Sequence, residues 1–178
     1  MNCLKYWAEE HPEIAVVGAN RTREEQDEIY VYEKNGIRIA ILNYTYGLNG
    51  LPMPAGMPFA VDMMEEDLMV RQLEEANRVA DFVVVCPHWG IEYQTTESAN
   101  QHMWCDFFLA HGVDLVIGTH PHVIQPVEWY EDEQGNRMLV YYSLGNFITS
   151  TADSGNGVEK RILGAMAKVT IEKDEEGN

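Results

Sequence analysis

Three histidines stand where two apolar runs end in this chain of 178 residues. One is His88, in Val84-Val-Cys-Pro-His88-Trp-Gly-Ile-Glu92-Tyr93. The others are His120 and His122, in Val116-Ile-Gly-Thr-His120-Pro-His122. Neutral imidazole is a ligand for zinc, iron, manganese, cobalt or nickel. Alternate residues of extended backbone point the same way, and a proline biases its predecessor toward extended geometry. His120-Pro121-His122 is therefore expected to aim two rings at one region, with Gly118 letting the backbone turn just before them. His88 would add a third ring. Three protein ligands plus an open position is a usual arrangement for a catalytic or labile metal. The expectation is a divalent metal ion (manganese, iron, zinc or similar) held by His88, His120 and His122.

Four further side chains fall close to these segments. Trp89, Glu92 and Tyr93 are expected to line a substrate pocket, against the competing reading that they pack beneath a loop. Asn146, in Ser143-Leu-Gly-Asn146-Phe, follows a strand and is expected to reach the same crevice. The other histidines attract no role: His11 reads as a surface residue, His102 as lying opposite an apolar helical stripe, and His111 as a last-turn residue complementing the helix dipole. No residue is assigned as catalytic. Without a GxSxG elbow, a Walker loop or a GxGxxG turn, serine hydrolase, nucleotide-phosphate and dinucleotide readings are poor.

The elements that must position these residues are legible in outline. Residues 3–10 read as a helix ending before Pro12, and Ile14–Val17 as a short buried strand. Two β-rich runs, 29–34 and 37–44, flank Asn35-Gly36, the pair suited to a tight hairpin turn. Residues 46–60 form a long loop. Asp62-Met-Met-Glu65 suggests a capping box, followed by a helix whose buried stripe is Met69, Leu73, Ala76 and Ala80. Phe82–Cys86 reads as a strand buried on both faces. Ser98-Ala-Asn-Gln101 suggests a second capping box for a helix burying Met103, Phe107 and Ala110 and ending at Gly112. Asp114–Gly118 is another buried strand, and in open α/β sheets ligands bind at the carboxyl ends of such strands. A second hairpin joins 126–131 to 138–142, and residues 161–173 read as a last strand. The residues from Lys173 to Asn178 resemble a hairpin turn.

Composition narrows the partners. Twelve Lys and Arg against 29 Asp and Glu leave a net charge of −17, with 46% hydrophobic residues. Phosphate-backbone binding requires clustered cations, so nucleic acid is excluded as the main partner and an anionic membrane surface is disfavoured. No apolar run is long enough for a transmembrane helix, and the first residues lack signal-peptide features, so a soluble chain is expected. Cys3, Cys86 and Cys105, an odd number without a CxxC pair, argue against a disulfide framework or a thiolate zinc site.

Taken together, Pro87-His-Trp-Gly-Ile-Glu-Tyr93, Gly118-Thr-His-Pro-His-Val123 with Gln125-Pro126, and Tyr142-Ser-Leu-Gly-Asn-Phe147 resemble the bacterial CapA family, the capsule or poly-γ-glutamate synthesis proteins. Val17-Gly-Ala-Asn20 and Ala40-Ile-Leu-Asn-Tyr-Thr45 resemble that family's middle section. The resemblance implies an α/β fold of the calcineurin-like metallophosphatase type, a layered α/β/β/α sandwich. Residues 1–178 would be the C-terminal portion of that domain, with its N-terminal strands missing. It implies that His88 serves one metal and that His120 and His122 correspond to a Gly-His-x-His-type motif divided between two. Two metals about 3.5–4 Å apart activate water and clamp a phosphoryl-like transition state.

The family's N-terminal Gly-Asp and Asn-Asn-His-type segments, which supply the bridging aspartate and an asparagine, have no counterpart in these residues. Only the histidine half of such a centre is encoded. The implied function is capsule or poly-γ-glutamate biosynthesis, with a metal-dependent phosphoesterase-type hydrolase as the activity of the full-length protein. The alternative is a non-catalytic component that keeps the fold and binds polymer or a partner. A weaker third reading is a mononuclear metal hydrolase on another α/β scaffold. The implied partners are an anionic polymer or phosphoester substrate and, through the full-length protein, a membrane capsule-synthesis complex. The implied location is the cell surface or membrane-associated.

Overall fold

The computed structural model describes residues 2–149 and 157–173. Its elements run α1 (Asn2–Glu10), α2 (Arg23–Asp27), β1 (Val31–Lys34), β2 (Ile37–Thr45), α3 (Glu66–Val79), β3 (Phe82–His88), α4 (Ala99–Ala110), β4 (Leu115–Ile117), β5 (Val127–Glu131), β6 (Arg137–Tyr141) and α5 (Val158–Arg161). The strands hydrogen-bond in the order β1-β2-β3-β4-β6-β5. The chain is thus a mixed α/β protein, with parallel pairing of β4 to β6 and antiparallel pairing of β1 to β2 and β5 to β6. It divides into two units, Met1–Val85 and Cys86–Asn178.

In the first unit, Asn35 and Gly36 both take positive φ (54° and 77°) and close the β1–β2 hairpin with Lys34 opposite Ile37, as the Asn-Gly pair demands. Helix α3 buries Met69, Leu73 and Ala76 completely, three of the four residues of the stripe expected from spacing, while Ala80 is the C-cap residue and only partly buried. Its start differs from expectation. The N-cap is Glu65, without a side-chain cap bond, because Asp62 is engaged elsewhere. Asp62 is 6% exposed, and its Oδ1 accepts from Asn20 Nδ2 and from Gln26 Nε2, each at 2.8 Å. Gln72 Nε2 donates to the Gln26 carbonyl at 2.6 Å. One carboxylate thereby ties α2, α3 and the long loop together. Residues 14–17 form no strand; the chain there makes only the isolated bridge Ala19–Val61.

In the second unit, Ser98 and Gln101 form the expected capping box of α4, the Ser98 side chain accepting from the Gln101 N–H. The buried face, however, is Gln101, Cys105, Phe108 and Leu109, and Met103 is half exposed. The helix is apolar nearly all round, so periodicity does not single out a face. Gly112, at φ 72°, follows the C-cap residue His111. The hairpin β5–β6 runs as expected, Val127 opposite Tyr141. The strand expected over 161–173 is absent among the described residues, where α5 ends at Arg161 and only Gly164 bridges to Gly145. Of the turn expected at the end, residues 174–178 lie outside those described. No helix among the described residues is long and apolar enough to cross a membrane.

Candidate metal centre

The ends of β3 and β4 run side by side. The Thr119 N–H donates to the Pro87 carbonyl (2.9 Å) and the Trp89 N–H to the Thr119 carbonyl (3.1 Å), with His88 and Thr119 paired in parallel. This ladder brings the His88 and His120 rings to 4.5 Å between centroids, and the His120 and His122 rings to 6.0 Å. One ligand atom from each of Glu92, His120 and His122 lies within 4.8 Å of the others. Two of the three histidines expected as ligands, His120 and His122, fall in this group, whereas His88 stacks beside His120 and is not among its donors. Glu92, expected as a substrate contact, belongs to the same donor cluster.

The two rings do not reach it through extended backbone. His120 and His122 sit at φ 97° and 59°, and Tyr93 at 64°. Non-glycine residues rarely occupy this region, at a cost of about 1–3 kcal/mol each where the surroundings enforce it. Here the surroundings do enforce it. The Tyr93 N–H donates to the Pro121 carbonyl at 2.7 Å, locking the two loops together. Gln125, 3% exposed, donates from Nε2 to the Gln94 and Thr96 carbonyls and accepts from Gln101 Nε2 at 2.9 Å. The loop carrying Glu92 and Tyr93 is thus hung from two buried amides. Gln101 is legible as half of a capping box and Gln125 as part of a motif, but their burial and their bond to each other have no periodic signature in the sequence.

Asn146 reaches the crevice of the histidines through His122. Its Nδ2 donates to the carbonyls of His122 (3.2 Å) and Arg161 (2.9 Å), which leaves Oδ1 as the acceptor facing His122 Nδ1 at 2.7 Å. His122 must then carry its proton on Nδ1, with Nε2 left as the ligand atom, the orientation that hydrogen-bonded metal-ligating histidines adopt. Trp89 is wholly buried, and its Nε1 donates to the Tyr142 carbonyl at 2.9 Å. It supports the site from below instead of lining a pocket. Tyr93 is about half exposed, with its ring 6.0 Å from that of His122.

Electrostatics favour neutral rings. Burial, then the His120 and His122 charges, holds His88 below the usual histidine range against the pull of Glu92. Burial does the same to His120, with Glu92 opposing and His122 reinforcing. Neutral imidazole is the form that ligates. Two or three imidazole nitrogens with one carboxylate oxygen is a donor set suited to zinc, iron or manganese.

Comparison with known proteins gives the lineage. The family model described as bacterial capsule synthesis protein PGA_cap matches residues 2–151. The PGA biosynthesis protein CapA of Bacillus subtilis (strain 168) is 33% identical over 148 residues, 79% of this chain and 37% of that protein. The capsule biosynthesis protein CapA of Bacillus anthracis is 32% identical over 152 residues, 80% of this chain and 36% of that protein. The chain spans little more than a third of the length of either relative. A solved structure from Staphylococcus aureus, in complex with alpha-ketoglutarate, aligns at a TM-score of 0.43 and 17% identity over 91% of this chain and 34% of its own. With its family model matched across most of its length, this chain belongs to the bacterial capsule synthesis protein PGA_cap family.

Proposed function

We propose that this chain carries the metal-holding half of a capsule-polymer protein. His120, His122 and Glu92 hold a divalent ion, with His88 beside them. In the whole protein the site serves hydrolysis of a phosphoester-type bond during poly-γ-glutamate capsule biosynthesis at the cell surface. The observation that supports this most is the convergence of the Glu92, His120 and His122 ligand atoms within 4.8 Å. A bound divalent ion supplies Lewis-acid polarisation of a phosphoryl oxygen. The chain's own groups do the rest. Asn146 fixes the His122 tautomer, the Tyr93–Pro121 backbone bond holds Glu92 in register with the histidines, and burial favours the neutral form of His88 and His120.

Elemental analysis after loading with manganese, iron or zinc tests the site directly. The expected result is one ion per chain, lost in His120→Ala. Protein that stays metal-free after loading, or His120→Ala protein that keeps full occupancy, would sink it. A second reading, a non-catalytic component that binds polymer through this crevice, is favoured by the single carboxylate in the cluster among the described residues. A whole protein that binds metal and polymer but turns over no phosphodiester would decide for it.

A further inference from the structure

The chain is strongly acidic, and its arginines are mostly engaged. Arg21 pairs with Glu25, Arg38 with Asp81, Arg71 with Asp27, Arg78 with Glu75 and Arg137 with Glu131. Arg23 donates to the Gln26 amide oxygen. Arg161 differs. Among the described residues no carboxylate meets its guanidinium, which lies over the Tyr93 ring at 5.2 Å from the centroid. Tyr93 is itself 6.0 Å from the His122 ring, so the guanidinium is no further from His122 than those two separations combined.

Its placement is built. The Arg161 carbonyl accepts from Asn146 Nδ2 at 2.9 Å, and the same amide accepts from His122 through Oδ1. One asparagine thus fixes both the ligand histidine and the backbone that carries the arginine. Just beyond, the Ala165 N–H donates to the Leu144 carbonyl at 2.7 Å. Gly164 lies so close to Asn146 that a Cβ would fall 2.1 Å from the Asn146 carbonyl oxygen. The segment is pressed flat against the 144–146 turn, leaving little freedom for where Arg161 emerges.

A guanidinium stacked on an aromatic face keeps its N–H fork directed outward and is matched to carboxylate or phosphate oxygens. We propose that Arg161 is the anion-recognition residue of this site. It takes an anionic oxygen group of a ligand whose neighbouring group lies at Glu92, His120 and His122. This rests on the site reading above and adds the chemistry of what enters it. An acidic protein that must hold a polyanion needs local positive charge where the ligand docks, and Arg161 supplies it beside the histidines.

Calorimetric titration of the chain with a γ-linked oligoglutamate and, separately, with inorganic phosphate tests the inference. The proteins compared are the native chain, Arg161→Gln, Arg161→Lys and His120→Ala, with metal content measured in each. The expected result is about a tenfold or greater loss of affinity in Arg161→Gln, partly recovered in Arg161→Lys, at unchanged metal content. Loss confined to oligoglutamate identifies a carboxylate polymer, and loss confined to phosphate identifies a phosphoryl group. Native chain that binds neither probe, Arg161→Gln that binds both as the native chain does, or an Arg161→Lys loss as large as that of Arg161→Gln overturns the inference. Arg161-dependent binding in a chain that takes up no metal would retain the inference while removing the metal reading. Metal uptake with binding indifferent to Arg161 would do the reverse.

Discussion

Trp89 and Tyr142 form a clamp beneath the histidines. The indole N–H donates to the Tyr142 carbonyl at 2.9 Å, and the two rings stack at 6.0 Å between centroids. Both residues are fully buried. Between them runs Gly118, where an added Cβ would lie 2.1 Å from the Tyr142 carbonyl oxygen and 2.4 Å from Trp89 Nε1. The end of β4 can approach β6 this closely only without a side chain.

Gly118→Ala is therefore expected to destabilise the protein by about 3 kcal/mol or more, since the obstacle is a backbone carbonyl that has no rotamer to yield. Urea denaturation checks this. A midpoint matching the native protein's would mean the clamp tolerates a methyl group.

The positive φ of His120 and His122 makes glycine the better non-ligating replacement. In metal-free protein, His120→Gly and His122→Gly are each expected to be more stable than the matching alanine variants by about 1 kcal/mol, read as a higher denaturation midpoint. Both replacements remove the ring, so the difference isolates the backbone. Alanine equal to or better than glycine would show that the strain is not there.

Asn146→Ala should weaken metal affinity by about 10- to 100-fold, the usual cost of losing the partner that orients a ligating histidine. Competition with a fluorescent chelator measures it. Affinity retained in full would place the Asn146–His122 bond outside the metal's influence.

Below about pH 6.5 the metal-free protein should lose stability. His88 and His120 are held below that ordinary value in the folded state. As pH falls through it, the unfolded chain takes up protons that the folded chain refuses, and unfolding is favoured until the depressed values are passed. Above that pH both states are neutral and the two residues contribute no pH dependence. Denaturation midpoints from pH 8 to 5 should show the decline, shallower in His88→Gln. An equal slope in that variant would assign the decline to other groups.

Asp62 acts with the opposite sign. Burial raises its carboxyl above the usual range, against the amides of Gln26, Gln72 and Asn20, so its contribution to stability rises as pH falls through that raised value. Asp62→Ala should cost about 1–3 kcal/mol by orphaning the Asn20 and Gln26 amides. Asp62→Asn, which keeps an acceptor and removes the charge, should cost less and abolish the rise on acidification. Thermal melts of the three proteins at neutral and mildly acidic pH decide it.

Local chemistry was readable without coordinates where it is self-sufficient. Asn35-Gly36 prescribes its own hairpin, Ser98 and Gln101 cap their own helix, and the 69-73-76 spacing buries its own stripe. The placing of His88, His120 and His122 at strand ends followed from apolar runs stopping where polar residues begin. These features depend on neighbours in the chain, and neighbours in the chain are what a sequence displays.

The rest was settled by residues far apart in sequence. Asp62 looked like a helix cap until Asn20 and Gln26 claimed its Oδ1, and α4, with apolar residues spread around most of its circumference, received its buried face from Gln125 and the β5–β6 hairpin. The extended backbone expected at His120-Pro121-His122 gave way to two left-handed residues, because Tyr93 bonds Pro121 from another loop. Asn146 became the partner of His122, and Arg161 came to lie over Tyr93 beside it. Sequence alone determined which residue types could bind a metal. Only the tertiary structure decided which of their atoms meet, since that depends on hydrogen bonds closed across dozens of residues that no local pattern encodes.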